Sequence, residues 1–329
     1  MNIKDLYNDY LTSFNAYLNS MSLPGSPAHL YEPIVYTMSL GGKRLRPVLT
    51  LMTADMFGAK RSDVLPVALS IEMFHNFTLL HDDVMDRADV RRGRPTVHRK
   101  WNDNVAILSG DTMLTLATQY LTLVPEHYLK GAIELFNRTA IEIYEGQQMD
   151  MDFEQRDDVT VAEYMEMIRL KTSVLLGAAC RMGALVGGAS SDDSNALYEM
   201  GVNLGLAFQL QDDLLDVWGD PEKFGKQIGG DIMCGKKTFL LITAMTEATG
   251  ADRDVLAYYI GGDGRCAPRE QKVTAVMSVY DNLGLRERAI SSIASYSAKA
   301  VSVLSKTSLS PHNISVLSEL INMLTSRES

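Results

Sequence analysis

Cysteine is scarce in this 329-residue chain: three residues, Cys180, Cys234 and Cys266, lie far apart without C-x-x-C spacing. That pattern excludes a disulfide framework and fits reduced thiols in a cytoplasmic protein. Positive charge is short as well. With 31 Lys and Arg against 41 Asp and Glu, the net charge of −10 argues against a general nucleic-acid binder. Uncharged apolar runs never approach the ~20 residues needed to span a bilayer. The opening Met1-Asn2-Ile3-Lys4-Asp5-Leu6-Tyr7 has no basic stretch leading into an apolar core, so neither a secretory signal nor a membrane anchor is expected. Runs of alternating β-branched residues and long polar linkers are missing too.

What is present is helical periodicity, within a 46% hydrophobic composition that can bury a sizeable core. The spacing predicts helices over 3–21, 28–40, 45–57, 62–86, 103–123, 127–152, 160–185, 193–217, 237–248, 269–282, 286–306 and 312–326. Breaks fall at Leu23-Pro24-Gly25-Ser26-Pro27, Gly187-Gly188-Ala189-Ser190-Ser191, Gly261-Gly262-Asp263-Gly264 and Ser310-Pro311. The expectation is one all-α domain over 1–329, a large helical bundle. Small residues such as Gly177, Gly183, Gly201 and Gly205 would let its helices approach closely.

Two copies of one acidic pattern stand out: Asp82-Asp83-Val84-Met85-Asp86 and Asp212-Asp213-Leu214-Leu215-Asp216. In each, the first and fifth carboxylates share a helix face about 6 Å apart along the axis. Such like charges cost a helix roughly 0.2–0.5 kcal/mol per pair. One acidic cluster alone is usually a solvated face. Two, each following an apolar run, point to a hard divalent cation with oxygen ligands, on helices that face each other across a central cavity.

Three segments concentrate positive charge beside glycine. They are Gly41-Gly42-Lys43-Arg44-Leu45-Arg46-Pro47, Arg87 through Lys100, and Gly225-Lys226 through Gly235-Lys236-Lys237-Thr238. Arg offers bidentate donors suited to phosphate, Lys a compact charge, and Gly a close backbone approach. A basic loop follows each acidic cluster, so the pairing reads as a metal-and-cation clamp for diphosphate. None of these loops matches G-x-x-x-x-G-K-[ST], which excludes a P-loop nucleotide enzyme.

With these residues the chain resembles the trans-isoprenyl diphosphate synthases of the polyprenyl synthetase family over essentially its whole length. The matching motifs are Gly41-Gly42-Lys43-Arg44-x-Arg46-Pro47, Glu72-x-x-His75, His81-Asp82-Asp83-x-x-Asp86 and Arg91-Arg92-Gly93-x-Pro95-Thr96-x-His98. They continue through Gly146-Gln147-x-x-Asp150, Lys171-Thr172, Phe208-Gln209-x-x-Asp212-Asp213-x-x-Asp216, and Gly225-Lys226 with Asp231 and Lys236. The resemblance implies the isoprenoid synthase fold, a homodimer and magnesium, three ions per site. Asp82, Asp86 and Asp212 would bind the metal, with Asp83, Asp213 and Asp216 completing the clusters. It implies that Arg91, Lys171, Lys226 and Lys236 hold the diphosphate of an allylic substrate (dimethylallyl, geranyl or farnesyl). Lys43, Arg46, His75 and Arg92 would hold that of isopentenyl diphosphate. Thr172 and Gln209 would sit beside the developing allylic cation, with Gln147 and Asp150 orienting Lys171. His81 is expected to support the cluster rather than bind metal, and His98 to be structural, capping the Arg-rich loop.

The implied reaction ionises the allylic ester and lets the isopentenyl double bond attack the cation. The released diphosphate can take the proton, so no protein base is needed, in keeping with the lack of any Ser/His/Asp or Cys/His arrangement. By the same resemblance, the bulky Phe77, five residues before Asp82, with Thr78 and Phe74, sets product length. No extra residues separate Asp83 from Asp86 as in bacterial farnesyl-type enzymes, and Thr78 breaks the double-aromatic pattern of the eukaryotic farnesyl type. The expected product is geranylgeranyl diphosphate, with farnesyl diphosphate second. A terpene cyclase would carry Asn/Asp-x-x-Ser/Thr-x-x-x-Glu at its second metal motif, where Asp212–Asp216 stands. A non-catalytic subunit would have lost Asp residues. Six scattered histidines do not support a His-Asp phosphohydrolase.

Overall fold

The computed structural model describes residues 2–220 and 228–326. The long helices are α1 (Ile3–Asn19), α2 (Ala28–Ser39), α3 (Leu45–Asp55), α4 (Arg61–Met85), α6 (Asp103–Leu121), α7 (Glu126–Glu154), α9 (Val174–Val186) and α10 (Ser191–Trp218). Beyond α10 come α12 (Phe239–Glu247), α14 (Arg269–Asn282), α15 (Leu285–Leu304) and α16 (Pro311–Thr325). All of these except α9 begin and end within a few residues of the span their periodicity predicts. Side-chain caps mark several starts: Asn2 accepts from Asp5 N, Asn102 from Val105 N, and Thr160 forms a reciprocal capping box with Glu163. The chain is all-α, as expected.

Differences fall on short or irregular elements. The span expected as one helix over 160–185 is α8 (Val161–Ile168), a π-turn over Arg169–Ser173, and then α9. Three short helices were not visible in the periodicity: α5 (Val97–Lys100), α11 (Gly230–Cys234) and α13 (Gly250–Leu256). Neither were a second π-turn over Ala257–Gly261 and a 3₁₀ turn over Asp263–Cys266. Elements of four to seven residues complete too few turns to show a hydrophobic period. A two-residue hairpin, β1 (Val90–Arg91) with β2 (Arg94–Pro95), pairs Val90 with Pro95 across Gly93.

The chain groups into two compact units. Residues up to Thr139, Leu175–Tyr198 and Thr307–Asn313 form the first. The second comprises Ala140–Val174, Glu199–Lys306 and the stretch from Ile314. In the first unit α4 is buried on nearly every side and packs against α3 and α6. Val67, Leu69, Ile71, Met73 and Phe74 from α4 join Val48, Leu49 and Met52 from α3 in its core. In the second, Leu206, Ala207 and Leu210 of α10 pack on Tyr164, Met167 and Ile168 of α8. A further cluster joins Val217, Leu240, Leu241, Val276, Val279 and Tyr280. Among the described residues no helix is long and apolar enough to cross a membrane.

Glycine sets the tightest approaches. At Gly183 of α9 a Cβ would lie 2.2 Å from both the Thr50 carbonyl oxygen and Thr53 Oγ1 of α3. Backbone cannot yield as a flexible side chain can. Gly183→Ala is therefore expected to destabilise the protein by roughly 1–3 kcal/mol, the usual cost of overpacking. A urea unfolding curve reads this directly, and an unchanged midpoint would mean that α9 and α3 part without penalty.

Candidate active site

In the first unit α4 carries Phe74, His75, Phe77, Thr78, Asp82 and Asp83, and Asp86 ends it. Asp82 is partly buried, Asp83 is buried, and Asp86, the residue that ends the helix, is exposed. Arg91 of the hairpin grips Asp83: its Nη2 lies 2.6 Å from Oδ1, and its Nε is 2.8 Å from each carboxylate oxygen. Asp82 Oδ2 lies 3.8 Å from the same guanidinium. Burial raises the Asp83 carboxyl above its ordinary range, with Arg91 opposing the shift. The Arg91 guanidinium is raised in turn: burial alone would lower it, but Asp83, Asp82 and Asp86 more than offset that. The middle carboxylate of the motif thus fixes Arg91, while its neighbours occupy the more open side.

The Gly41–Pro47 loop is pinned to α4 by a residue whose role the sequence left unread. Glu72, buried at 2% exposure, accepts from Arg44 Nη1 at 2.6 Å and from Asn76 Nδ2 at 3.0 Å. Arg44 also donates from Nη2 to the Met38 carbonyl. Two residues on, Arg46 Nη1 donates to His75 Nε2 at 3.2 Å. A guanidinium has no acceptor, so His75 must be neutral and carry its proton on Nδ1. This agrees with the direction of its pKa, which burial and then the Arg46 charge push well below the ordinary value. Burial lowers the Arg46 guanidinium to about 10, and its Nε–H is buried without a protein partner. The strongest partner available to a buried cationic donor is the oxygen of an anion.

Arg92 completes this corner. Its guanidinium donates to the Gly41 carbonyl and lies against Gly42, where a Cβ would sit 2.8 Å from Cζ. The described non-glycine residues with left-handed backbone are three arginines of these two basic segments: Arg44 (φ 49°), Arg87 (φ 52°) and Arg92 (φ 53°). Strain of this kind collects at functional sites. Lys43 is exposed, and its carbonyl accepts from the Tyr7 hydroxyl.

Along α4, Phe77 is buried and packs on Phe74, with centroids 5.6 Å apart, and on His81 at 4.7 Å. Phe74 in turn meets Phe136 of α7 edge-on at 5.1 Å. Thr78 turns its hydroxyl to the His75 carbonyl. His81 Nε2 is 3.1 Å from the Ile107 carbonyl, so it donates there and is not a metal ligand through that nitrogen. His98 is buried as expected of a structural residue, but it caps nothing, since neither ring nitrogen has a protein partner.

In the second unit the π-turn presents Lys171 and Thr172. Lys171 Nζ donates to Asp150 Oδ2 of α7 at 2.5 Å, and Gly146 allows the approach, because a Cβ there would lie 2.4 Å from Lys171 N. Thr172 Oγ1 donates to Gln209 Oε1 at 3.2 Å, and Gln209 Nε2 to Asp213 Oδ1 at 3.3 Å. The buried Tyr164 hydroxyl donates to the other oxygen of Asp213. Burial, offset by Tyr164 and reinforced by the Asp231 charge, raises the Asp213 carboxyl to about 7. Asp212 is exposed. Asp216 Oδ2 accepts from Asp231 N at 2.9 Å at the start of α11. Burial and the Asp231 charge raise the Asp216 carboxyl, while Lys236 draws both Asp213 and Asp216 down. Tyr164 and the π-turn escaped the sequence reading. The weak helix formers Thr172 and Ser173 were the only local sign of an irregular turn. Lys226 and Gly225 lie outside the described residues.

Among the described residues no three His, Cys, Asp or Glu side chains stand close enough together to hold a metal ion by themselves. The donor chemistry nevertheless suits a hard cation, with carboxylate oxygens of Asp82, Asp86 and Asp212 on the more open sides of their helices.

Comparison with known proteins places the chain among relatives. The polyprenyl synthetase family model matches residues 27–283. A geranylgeranyl diphosphate synthase of Methanosarcina mazei is 46% identical over 229 residues, covering 69% of this chain and 70% of its own. A geranylfarnesyl diphosphate synthase of Aeropyrum pernix is 43% identical over 230 residues, 68% of this chain and 72% of its own. A crystal structure of a geranylgeranyl pyrophosphate synthase, 41% identical, superposes with a TM-score of 0.89 over all of both chains.

Two outcomes follow from the buried carboxylates. Glu72→Ala leaves Arg44 charged and buried, and should cost roughly 3–5 kcal/mol in a urea melt. The Asp213 carboxyl has a folded value of about 7 against an ordinary 3.8, so the folded state binds this proton more tightly than the unfolded chain. The resulting stability is present in full below the ordinary value and is lost as pH rises through about 7. In magnesium-free protein, the melting temperature of Asp213→Asn relative to wild type should therefore climb with pH across that window and then level off. A gap that shrinks with rising pH would contradict the assignment.

Proposed function

We propose, for a chain that belongs to the polyprenyl synthetase family, the condensation of isopentenyl diphosphate head-to-tail with an allylic diphosphate. The chain is a prenyl transferase with the all-α isoprenoid synthase fold, in a family that is generally metal-dependent. The observation that carries the substrate reading is the cationic corner of the first unit. Arg46 has its Nε–H buried and unpartnered, His75 is held neutral beside it, and Arg92 is locked over Gly42. This corner, with Lys43, binds the diphosphate of isopentenyl diphosphate.

Asp82, Asp86 and Asp212 are the proposed magnesium ligands, three ions per site, with Asp216 beside them. Asp83 and Asp213 serve them from behind by fixing Arg91 and the Gln209–Thr172 pair. When bound, magnesium draws negative charge off the allylic ester. Arg91, Lys171, Lys226 and Lys236 hold the same diphosphate, and Asp150 aims Lys171. The oxygens of Thr172 and Gln209, ordered by their mutual hydrogen bond, face the positive charge that develops on the allylic carbon. Each substrate is then oriented by its own cations, so association is largely prepaid in entropy.

For product length we propose Phe77 as the floor, backed by Phe74 and then Phe136 and flanked by Thr78. The resulting product is geranylgeranyl diphosphate. Farnesyl diphosphate is the shorter alternative. A homodimer is supported by apolar side chains left exposed on α6, Ile107 and Leu108. The proposed location is cytoplasmic.

Purified protein incubated with labelled isopentenyl diphosphate and dimethylallyl, geranyl or farnesyl diphosphate should elongate them only with magnesium. Asp82→Ala should lower turnover by about 10²-fold or more, the scale seen when one electrostatic contact to the transition state is removed. Phe77→Ala should lengthen the products. Elongation that is indifferent to chelator, or a product length that Phe77→Ala leaves unchanged, would refute the corresponding part.

A further inference from the structure

Cys234 is the last residue of α11 and Cys266 the last of the 3₁₀ turn. Both are free and exposed, whereas Cys180 is buried and its thiol is pushed up to about 12 by that burial. Between the two segments stands Lys272 of α14, the one lysine with only 1% exposure among the described residues. Its Nζ donates to the Met233 carbonyl at 3.1 Å and to the Arg265 carbonyl at 3.3 Å. Each carbonyl belongs to the residue immediately before a cysteine. One ammonium therefore closes the C-terminal ends of two short helices at once, and holds their carbonyls no further apart than two hydrogen bonds can span. Both sulfurs also lie within electrostatic range of this ammonium.

The two cysteines open onto one cavity of about 720 Å³. Arg253, Arg265, Lys272 and Lys237 line it, against Glu154 and Asp157, and Asp157 is already paired with Lys237 at 3.2 Å. The lining leaves an excess of positive charge beside two accessible thiols. Gly235, directly after Cys234, adopts a left-handed φ of 65° and gives that end of α11 a residue free of side-chain obstruction. Capping alone would explain Lys272. It would not explain an accessible thiol at both capped ends, within one cationic cavity.

We propose that Cys234 and Cys266 form a redox-active thiol pair, oxidised to a Cys234–Cys266 disulfide by an anionic low-molecular-weight disulfide that enters this cavity. One thiol gives its proton to solvent, and its sulfur attacks the oxidant, breaking the S–S bond and expelling half of it as thiolate. The second cysteine likewise loses its proton and attacks the mixed disulfide, and the other half leaves. Two cysteine sulfurs are oxidised, two oxidant sulfurs are reduced, and two protons pass to the released thiolates. The disulfide fixes the segment in which Asp231 N donates to Asp216 Oδ2 and Lys236 N to the Asp231 carbonyl at 2.9 Å. It would thereby restrain Asp216, a link to turnover that rests on the proposed function.

Oxidised glutathione is the probe, and intact mass with peptide mapping is the readout. The expected result is loss of two hydrogens and a single crosslinked peptide pair joining Cys234 to Cys266. Cys234→Ser and Cys266→Ser each abolish the crosslink, and Lys272→Met slows its formation. Glutathione adducts on both cysteines without a crosslink, or no reaction, would overturn the proposal even if the reduced enzyme elongates prenyl chains normally. Crosslinked enzyme should lose about tenfold or more in turnover, within the range for small misplacements of catalytic groups, and dithiothreitol should restore it. Unchanged turnover after complete crosslinking would overturn the restraint on Asp216.

Discussion

Each acidic motif depends on the burial of its middle carboxylate. Asp83 and Asp213 are withdrawn from solvent, and both titrate above the ordinary carboxylate range because of it. Leaving an ionised carboxylate buried without partners would cost several kcal/mol, so each has recruited them. Arg91 forks onto Asp83, while Tyr164 and Gln209 converge on Asp213. The consequence lies in what those partners do with their other ends. Arg91 reaches towards Asp82, and Gln209 orders Thr172. The buried carboxylate therefore acts as an anchor for positively polarised groups, and this lets three acids sit within five residues of a helix without the cluster being one undifferentiated patch of repulsion.

The basic corner of the first unit follows the same logic with the signs reversed. Glu72 is a buried anion whose task is to hold a cation, Arg44, at the start of α3. With Arg44 fixed in a left-handed turn, Arg46 falls beside His75, whose neutral ring accepts from it. Exposed salt bridges, which contribute little, play no part in the Arg44–Glu72 pair. The Arg46–His75 contact leaves one buried donor, Arg46 Nε, without a protein partner.

Much of this was legible in the sequence, for identifiable reasons. The long helices complete several turns, so their apolar period is visible. The acidic and basic clusters are contiguous, so spacing alone groups them. What stayed hidden depends on contacts distant along the chain. Tyr164 is forty-nine residues from Asp213, and Glu72 twenty-eight from Arg44, and nothing local pairs them. The π-turn at Arg169–Ser173 was hidden differently, because one extra residue in a turn leaves an apolar helix still looking like a helix. The expected cap by His98 failed because the ring is buried with both nitrogens unpaired, an outcome no motif announces.

That π-turn sets a reading frame. Each residue of an α-helix advances the azimuth by about 100°, so the additional residue shifts which residues of this segment share a face, an offset that an uninterrupted α-helix would not have. Tyr164 lies on one side of this offset, while Lys171 and Thr172 lie within it. Removing a single residue there would delete no contact-making side chain of α8, yet it would swing the Tyr164 hydroxyl about the helix axis and out of line with its carboxylate. The length of the chain here is thus as much a part of its chemistry as its composition.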